Sequence, residues 1–179
     1  MASSELWVGV LTGTTAIVAS YLTARGTSNA ALAQARTTAM AEALREERER
    51  RRSTYRQMMT CVHAYLEVTW RMVDVDATQD RERKNLLLTQ MHERIGSTVN
   101  DMTRATREVL LDGPAEVSSA ADEVRTMALR VQPLLGALID DDGPEKRQDY
   151  DQAYQSLRAA YVTFIGLARQ ALEVKLEGR

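Results

Sequence analysis

Residues 112–144 read DGPAEVSSAADEVRTMALRVQPLLGALIDDDGP, one segment framed by the same Asp-Gly-Pro turn at each end. Glycine ends a helix readily, and proline opens the next one at a position where its missing N–H costs nothing. Between the two turns Val117, Ala120, Val124, Met127, Val131, Leu134 and Leu138 recur at steps of three and four. That period draws one apolar stripe along a polar cylinder. Pro133 falls inside the stripe and is expected to kink it.

The same period continues on both sides. Downstream it runs through Tyr150, Ala153, Leu157, Tyr161, Phe164, Ala168 and Leu172. Upstream it runs through Leu88, Met91, Ile95, Val99, Met102, Ala105 and Val109, and before that through Tyr55, Met58, Val62, Tyr65, Thr69, Met72 and Val73. A weaker break at 76–80 separates these two, with Thr78 or Asp80 available to cap the second helix. Four amphipathic helices on short connections predict an all-α chain whose residues 53–179 form an antiparallel up-down four-helix bundle. Gly 9 and Pro 3 in 179 residues agree, since few turns mean long elements.

Ahead of the bundle, residues 26–52 form a connector. Residues 28–44, SNAALAQARTTAMAEAL, favour helix throughout, and 45–52, REERERRR, have no apolar face. Glu46 with Arg50 and Glu47 with Arg51 are placed for i,i+4 pairs. No Gly or Pro interrupts from Thr27 to Ile95, so one long helix is expected to run from the N-terminal segment into the bundle.

Residues 1–25 contain an uncharged run from Leu6 to Ala24, bounded by Glu5 and Arg25. As a helix its nineteen residues reach roughly 28 Å, close to a ~30 Å hydrocarbon core. Trp7 and Tyr21 stand near its ends, where amphipathic rings favour the membrane interface, and Arg25 closes it. Thr12, Thr14, Thr15, Ser20 and Thr23 dilute the run, though a helix can return such hydroxyls to its own carbonyls. A cleaved secretory signal fits less well, because no Lys or Arg precedes the apolar run. Arg25 and Arg36 follow it, which by the positive-inside rule predicts a single pass through the cell membrane, N-terminus outside and C-terminal domain cytoplasmic. Burial of this helix between subunits of a soluble oligomer is the alternative. Within the run, Gly9 and Gly13 form a GxxxG, and Ala16 and Ser20 continue small residues along that side. Small residues let two helices approach closely in lipid, which makes these four the candidate self-association face.

Composition removes several function classes. With 23 Lys and Arg against 25 Asp and Glu, net charge −2, a globally basic nucleic-acid binder is not expected. Of the basic residues only Lys84, Lys146 and Lys175 are lysine, a bias of the kind GC-rich coding produces. One cysteine, Cys61, excludes a disulfide framework and any multi-thiolate metal site. His63 and His92 have Thr60 and Thr89 three residues before them, so the Glu-x-x-His pairs of a di-iron bundle are absent. His63 and Glu67 share a face, but two ligands do not make a site. The Asp140-Asp141-Asp142-Gly143 run lacks the alternating spacing of a calcium loop and suits the start of the next helix. No phosphate loop, dinucleotide fingerprint or nucleophile elbow occurs. No catalytic residue, metal or cofactor is expected.

The apolar Leu6–Ala24 helix with its Trp, the Arg25-Gly26 break and the Arg/Glu-rich stretch from Glu46 to Tyr55 resemble a widespread type of short actinobacterial single-pass membrane protein. The resemblance covers about the first third of the chain and implies anchoring and a coiled helix, with no activity attached. Three functional expectations follow. The first is a non-enzymatic, membrane-anchored helical-bundle scaffold that self-associates and presents a surface to a cytoplasmic protein. The second is the subunit of a soluble or secreted helical filament or tube, its N-terminal helix buried between neighbours. The third is an enzyme with an unrecognised site in the bundle.

Overall fold

A computed structural model describes residues 31–173 in full and residues 2–30 as helical backbone alone. The helices are α1 (Ala2–Trp70), α2 (Met72–Ala77), α3 (Arg81–Asp112), α4 (Ala115–Asp140) and α5 (Pro144–Leu172). No strand occurs among the described residues, so the chain is all-α. It divides into two compact units, residues 1–47 and 48–179. Arg48 opens the second unit.

In the first unit, residues 31–47 are helical, and Leu32, Met40 and Leu44 remain 56%, 66% and 57% exposed. Thr37 and Thr38 each donate their hydroxyl to the Gln34 carbonyl at 2.8 Å, so the helix satisfies its own side chains.

The second unit gathers all four long helices around one core. α4 packs on both α3 and α5. α1 meets each of the others: Met58 lies against Thr106 of α3, Tyr65 donates to the Ala128 carbonyl of α4 at 2.9 Å, and Tyr55 meets Phe164 of α5 edge-on at 6.3 Å. All but one member of the first two stripes is buried, along with Val117, Val124, Val131 and Leu138 of the third and Tyr150, Leu157, Phe164 and Ala168 of the fourth. Ala121, Ala128 and Leu135 add a second buried row on α4, because that helix is covered from two sides.

The exception is Val73, which is exposed while Val75 is buried. α1 stops at Trp70, and a tight turn with Arg71 N–H on the Val68 carbonyl shifts the helical phase before α2 begins. Asp80 then caps α3 by accepting from the Glu82 N–H at 3.0 Å, one of the two residues expected there. α4 runs unbroken through Pro133, which is exposed, so the carbonyl that it frees one turn earlier faces water. Gly113 and Gly143 have extended φ of −92° and −74°, so neither serves as a left-handed cap. At Gly113 the requirement is space: a Cβ there would lie 2.8 Å from the Val109 carbonyl oxygen and 3.3 Å from the Tyr55 hydroxyl.

Candidate functional site: a surface groove between α1 and α5

The arginine-rich start of the second unit is bound to the end of α3. Arg50 Nε lies 3.1 Å from one carboxylate oxygen of Asp112, and the Thr54 hydroxyl donates to the other at 3.1 Å. Arg51 Nε donates to the Asp112 carbonyl at 3.0 Å. Arg50, which its sequence position places for a pair with Glu46, reaches across the fold instead. The cation beside the exposed carbonyls of a helix C-terminus also complements the helix dipole.

This fastening turns the opposite side of the same helical stretch toward α5 and opens a groove of about 550 Å³. Its floor is apolar, formed by Met59, Ile165, Ala168 and Leu172. Its rim is cationic: Arg48, Arg52, Arg56 and Arg169 outnumber Glu49 and Glu173. Arg48, Arg52 and Arg56 follow at four-residue steps and so stand in a row about 6 Å apart. Arg169 is held by Glu173 at 2.9 Å. The size falls within the range of ligand-binding clefts, and an apolar floor under a row of guanidinium groups suits an anionic, partly apolar occupant.

A second cleft, of about 480 Å³, lies between α1 and α3 and includes Cys61, Asp101, Arg104 and Glu108. Cys61 is buried. Burial first, and the charge of Asp101 second, push its thiol above the ordinary cysteine value, with Arg104 opposing. A thiol held protonated is a weak nucleophile. Among the described residues no group of three or more His, Cys, Asp and Glu is placed to hold a metal. His63 does meet Glu67 at 3.4 Å on the surface. Of the Asp run, Asp142 pairs with Lys84, and Asp141 with Lys146 at 3.2 Å. His92 packs against α4, where a Cβ at Gly136 would meet its ring at 3.3 Å.

The sequence-predicted residues Gly9, Gly13, Ala16 and Ser20 lie outside the fully described residues, as do Trp7, Tyr21 and Arg25. Among the fully described residues, 31–173, no helix is long and apolar enough to cross a membrane, and the 6–24 segment lies outside them. The groove was not legible in the sequence, because its two walls are more than 100 residues apart; the one local signal was the four-residue spacing of Arg48, Arg52 and Arg56. Comparison with protein-family models, curated proteins and solved structures found no match.

Proposed function

We propose that the protein is a non-enzymatic helical scaffold, anchored in the cell membrane by a single pass through residues 6–24, which self-associates along its N-terminal helix. In this reading the second unit is an antiparallel up-down four-helix bundle standing in the cytoplasm as a docking module. The direction of its helices is supported by the contacts that bring residues 48–56 of α1, where the second unit begins, to the end of α3 and the end of α5. The observation that carries self-association is the bare apolar face of residues 31–47. Leu32, Met40 and Leu44 share that face with Ala39 and Ala43 and are exposed in the single chain. A helix of this length gains most of its stability from burying such a face, and a second copy aligned in parallel would cover it. Gly9, Gly13, Ala16 and Ser20 would continue the contact within lipid, and Trp7, Tyr21 and Arg25 would fix the depth of the span.

Carbonate extraction and thiol cross-linking test the proposal together. Full-length protein should remain in the membrane fraction, and copies carrying Met40→Cys should cross-link to one another. Gly9→Leu and Gly13→Leu should lower the cross-linking yield while leaving membrane insertion intact, and Val10→Leu should not. Full-length protein released into the soluble fraction without detergent would refute the anchor and favour the filament subunit. Equal yields from all the variants would remove the small-residue face from the interface.

A further inference from the structure

Residues 48–56 hold five arginines, and two of them fasten the fold: Arg50 and Arg51 bind Asp112 at the end of α3. Arg48, Arg52 and Arg56 make no ion pair among the described residues, although Glu49 lines the same groove. Successive members of this row are four residues apart, and like charges at that spacing oppose each other on a helix. The row is therefore unfavourable in the free protein and is relieved by an anion. Its surplus charge can be counted. On the α5 side Arg169 and Glu173 neutralise each other at 2.9 Å. On the α1 side three guanidinium groups face one carboxylate, so the groove keeps two positive charges above its apolar floor.

We propose that this groove binds a single-chain amphiphile with a phosphate monoester head. The hydrocarbon chain lies on Met59, Ile165 and Leu172, and the head bridges two neighbouring guanidinium groups of the Arg48, Arg52 and Arg56 row. Three features name this occupant. First, the charges match. A phosphate monoester carries about −1.5 to −2 at neutral pH, against the surplus of two, whereas a carboxylate supplies a single charge. Second, the geometry of the donors suits it. Guanidinium forks bond phosphate oxygens in pairs, and the three free oxygens of a monoester can serve two arginines standing about 6 Å apart along the helix. Third, the groove has the scale of a small-molecule cleft. Its volume is about 550 Å³ and eleven residues line it, while a stable protein partner engages about 20–30 residues on each side. The floor also accepts a flexible chain, since a methionine side chain adapts its shape to what lies on it.

The site lies wholly within residues 48–179 and does not depend on the anchor or on the 31–47 face. The test follows methionine methyl signals by NMR in the full chain, held in phosphatidylcholine nanodiscs. Met59 reports on the groove floor, and the buried Met91 and Met102 serve as internal references. Octyl phosphate, added below its micellar concentration, should shift Met59 saturably and leave Met91 and Met102 in place. Decyl phosphate should bind about four- to fifteen-fold tighter, the gain from partly or fully burying two more methylenes. Octanoate should bind at least about tenfold weaker, for want of one charge-assisted hydrogen bond. Arg52→Gln with Arg56→Gln should weaken octyl phosphate at least about tenfold, while the unliganded protein melts no lower than the parent because a like-charge contact is removed. Should that variant melt lower, the row is structural and the proposal fails. No Met59 response to octyl phosphate would overturn it, as would equal affinity for octanoate or indifference to the arginine substitutions. A Met59 response only to phosphatidic acid built into the discs, or only to an acidic amphipathic peptide, would overturn it as well, assigning the groove to the bilayer or to another protein.

Discussion

Two buried tyrosines offer the same chemical perturbation with opposite expected signs. Tyr65 is fully buried and donates its hydroxyl to the Ala128 carbonyl at 2.9 Å. Tyr150 is 2% exposed, and its hydroxyl has no hydrogen-bond partner. Its ring, by contrast, is well engaged, parallel to Tyr154 at 6.4 Å and under the Arg147 guanidinium at 5.9 Å. Replacement by Phe keeps each ring and deletes one oxygen. At Tyr65 the loss is a made hydrogen bond, and Tyr65→Phe should destabilise by about 0.5–1.5 kcal/mol. At Tyr150 the loss is an unsatisfied buried hydroxyl, and Tyr150→Phe should stabilise by about 1 kcal/mol. In a unit of this size the two melting temperatures should therefore separate by roughly 6–10 °C, on either side of the parent. Thermal and urea denaturation followed by circular dichroism measures this. Equal destabilisation by both substitutions would refute the reasoning, since it would mean that the Tyr150 hydroxyl is also bonded in the folded protein.

Phe164→Ala should cost about 3–5 kcal/mol, because the ring is fully buried and its loss leaves the Tyr55 edge facing a void; a urea midpoint within error of the parent would contradict this. Gly113→Ala should destabilise although the backbone there is extended, because the added Cβ meets the Val109 carbonyl at 2.8 Å; Gly143→Ala, whose Cβ would meet only Asp141 side-chain atoms at 3.5 Å or more, should be nearly neutral in the same melt. Burial pushes the Tyr65 and Tyr150 hydroxyls well above the ordinary tyrosine value, so above about pH 10 the unfolded chain loses protons that the folded one keeps. Stability is then full below that pH and falls by about 1.4 kcal/mol per pH unit for each residue above it. The part of the tyrosinate absorbance that Tyr65→Phe and Tyr150→Phe remove should accordingly rise together with loss of helix, and its appearance without unfolding would oppose the assignment.

The helices were legible because each stripe repeats at three and four over many turns and because two Asp-Gly-Pro turns mark their limits. The break at Arg71 had no local signal. No Gly or Pro stands there, so the stripe reads straight through to Val73, and the phase change that buries Val75 instead is hidden. Gly113 was legible as a turn but for another reason than the one that holds, since crowding against Val109 and Tyr55 is a tertiary fact. The contacts of Arg50, Arg51 and Thr54 with Asp112 were invisible for the same cause: local charge patterning pointed to partners within the helix. Four-residue spacing placed Arg48, Arg52 and Arg56 on one face, but the apolar floor that makes them a rim comes from α5.

The meeting of Tyr55 with Phe164 has a consequence for the time course of synthesis. The contacts of α4 with α3 and α5 join neighbours in the chain, and such local pairings form quickly. Tyr55 must wait for a partner made about 110 residues later, an interval of about 5–22 s at ordinary elongation rates. During that interval the Tyr55 ring has left the ribosome without the α5 surface that will cover it, while Met58 and Tyr65 can meet α3 and α4 sooner. The oldest part of the second unit is therefore fully sheltered only when the youngest arrives, and until then the nascent chain is open to chaperones, or to a neighbouring chain on the same message, around Tyr55.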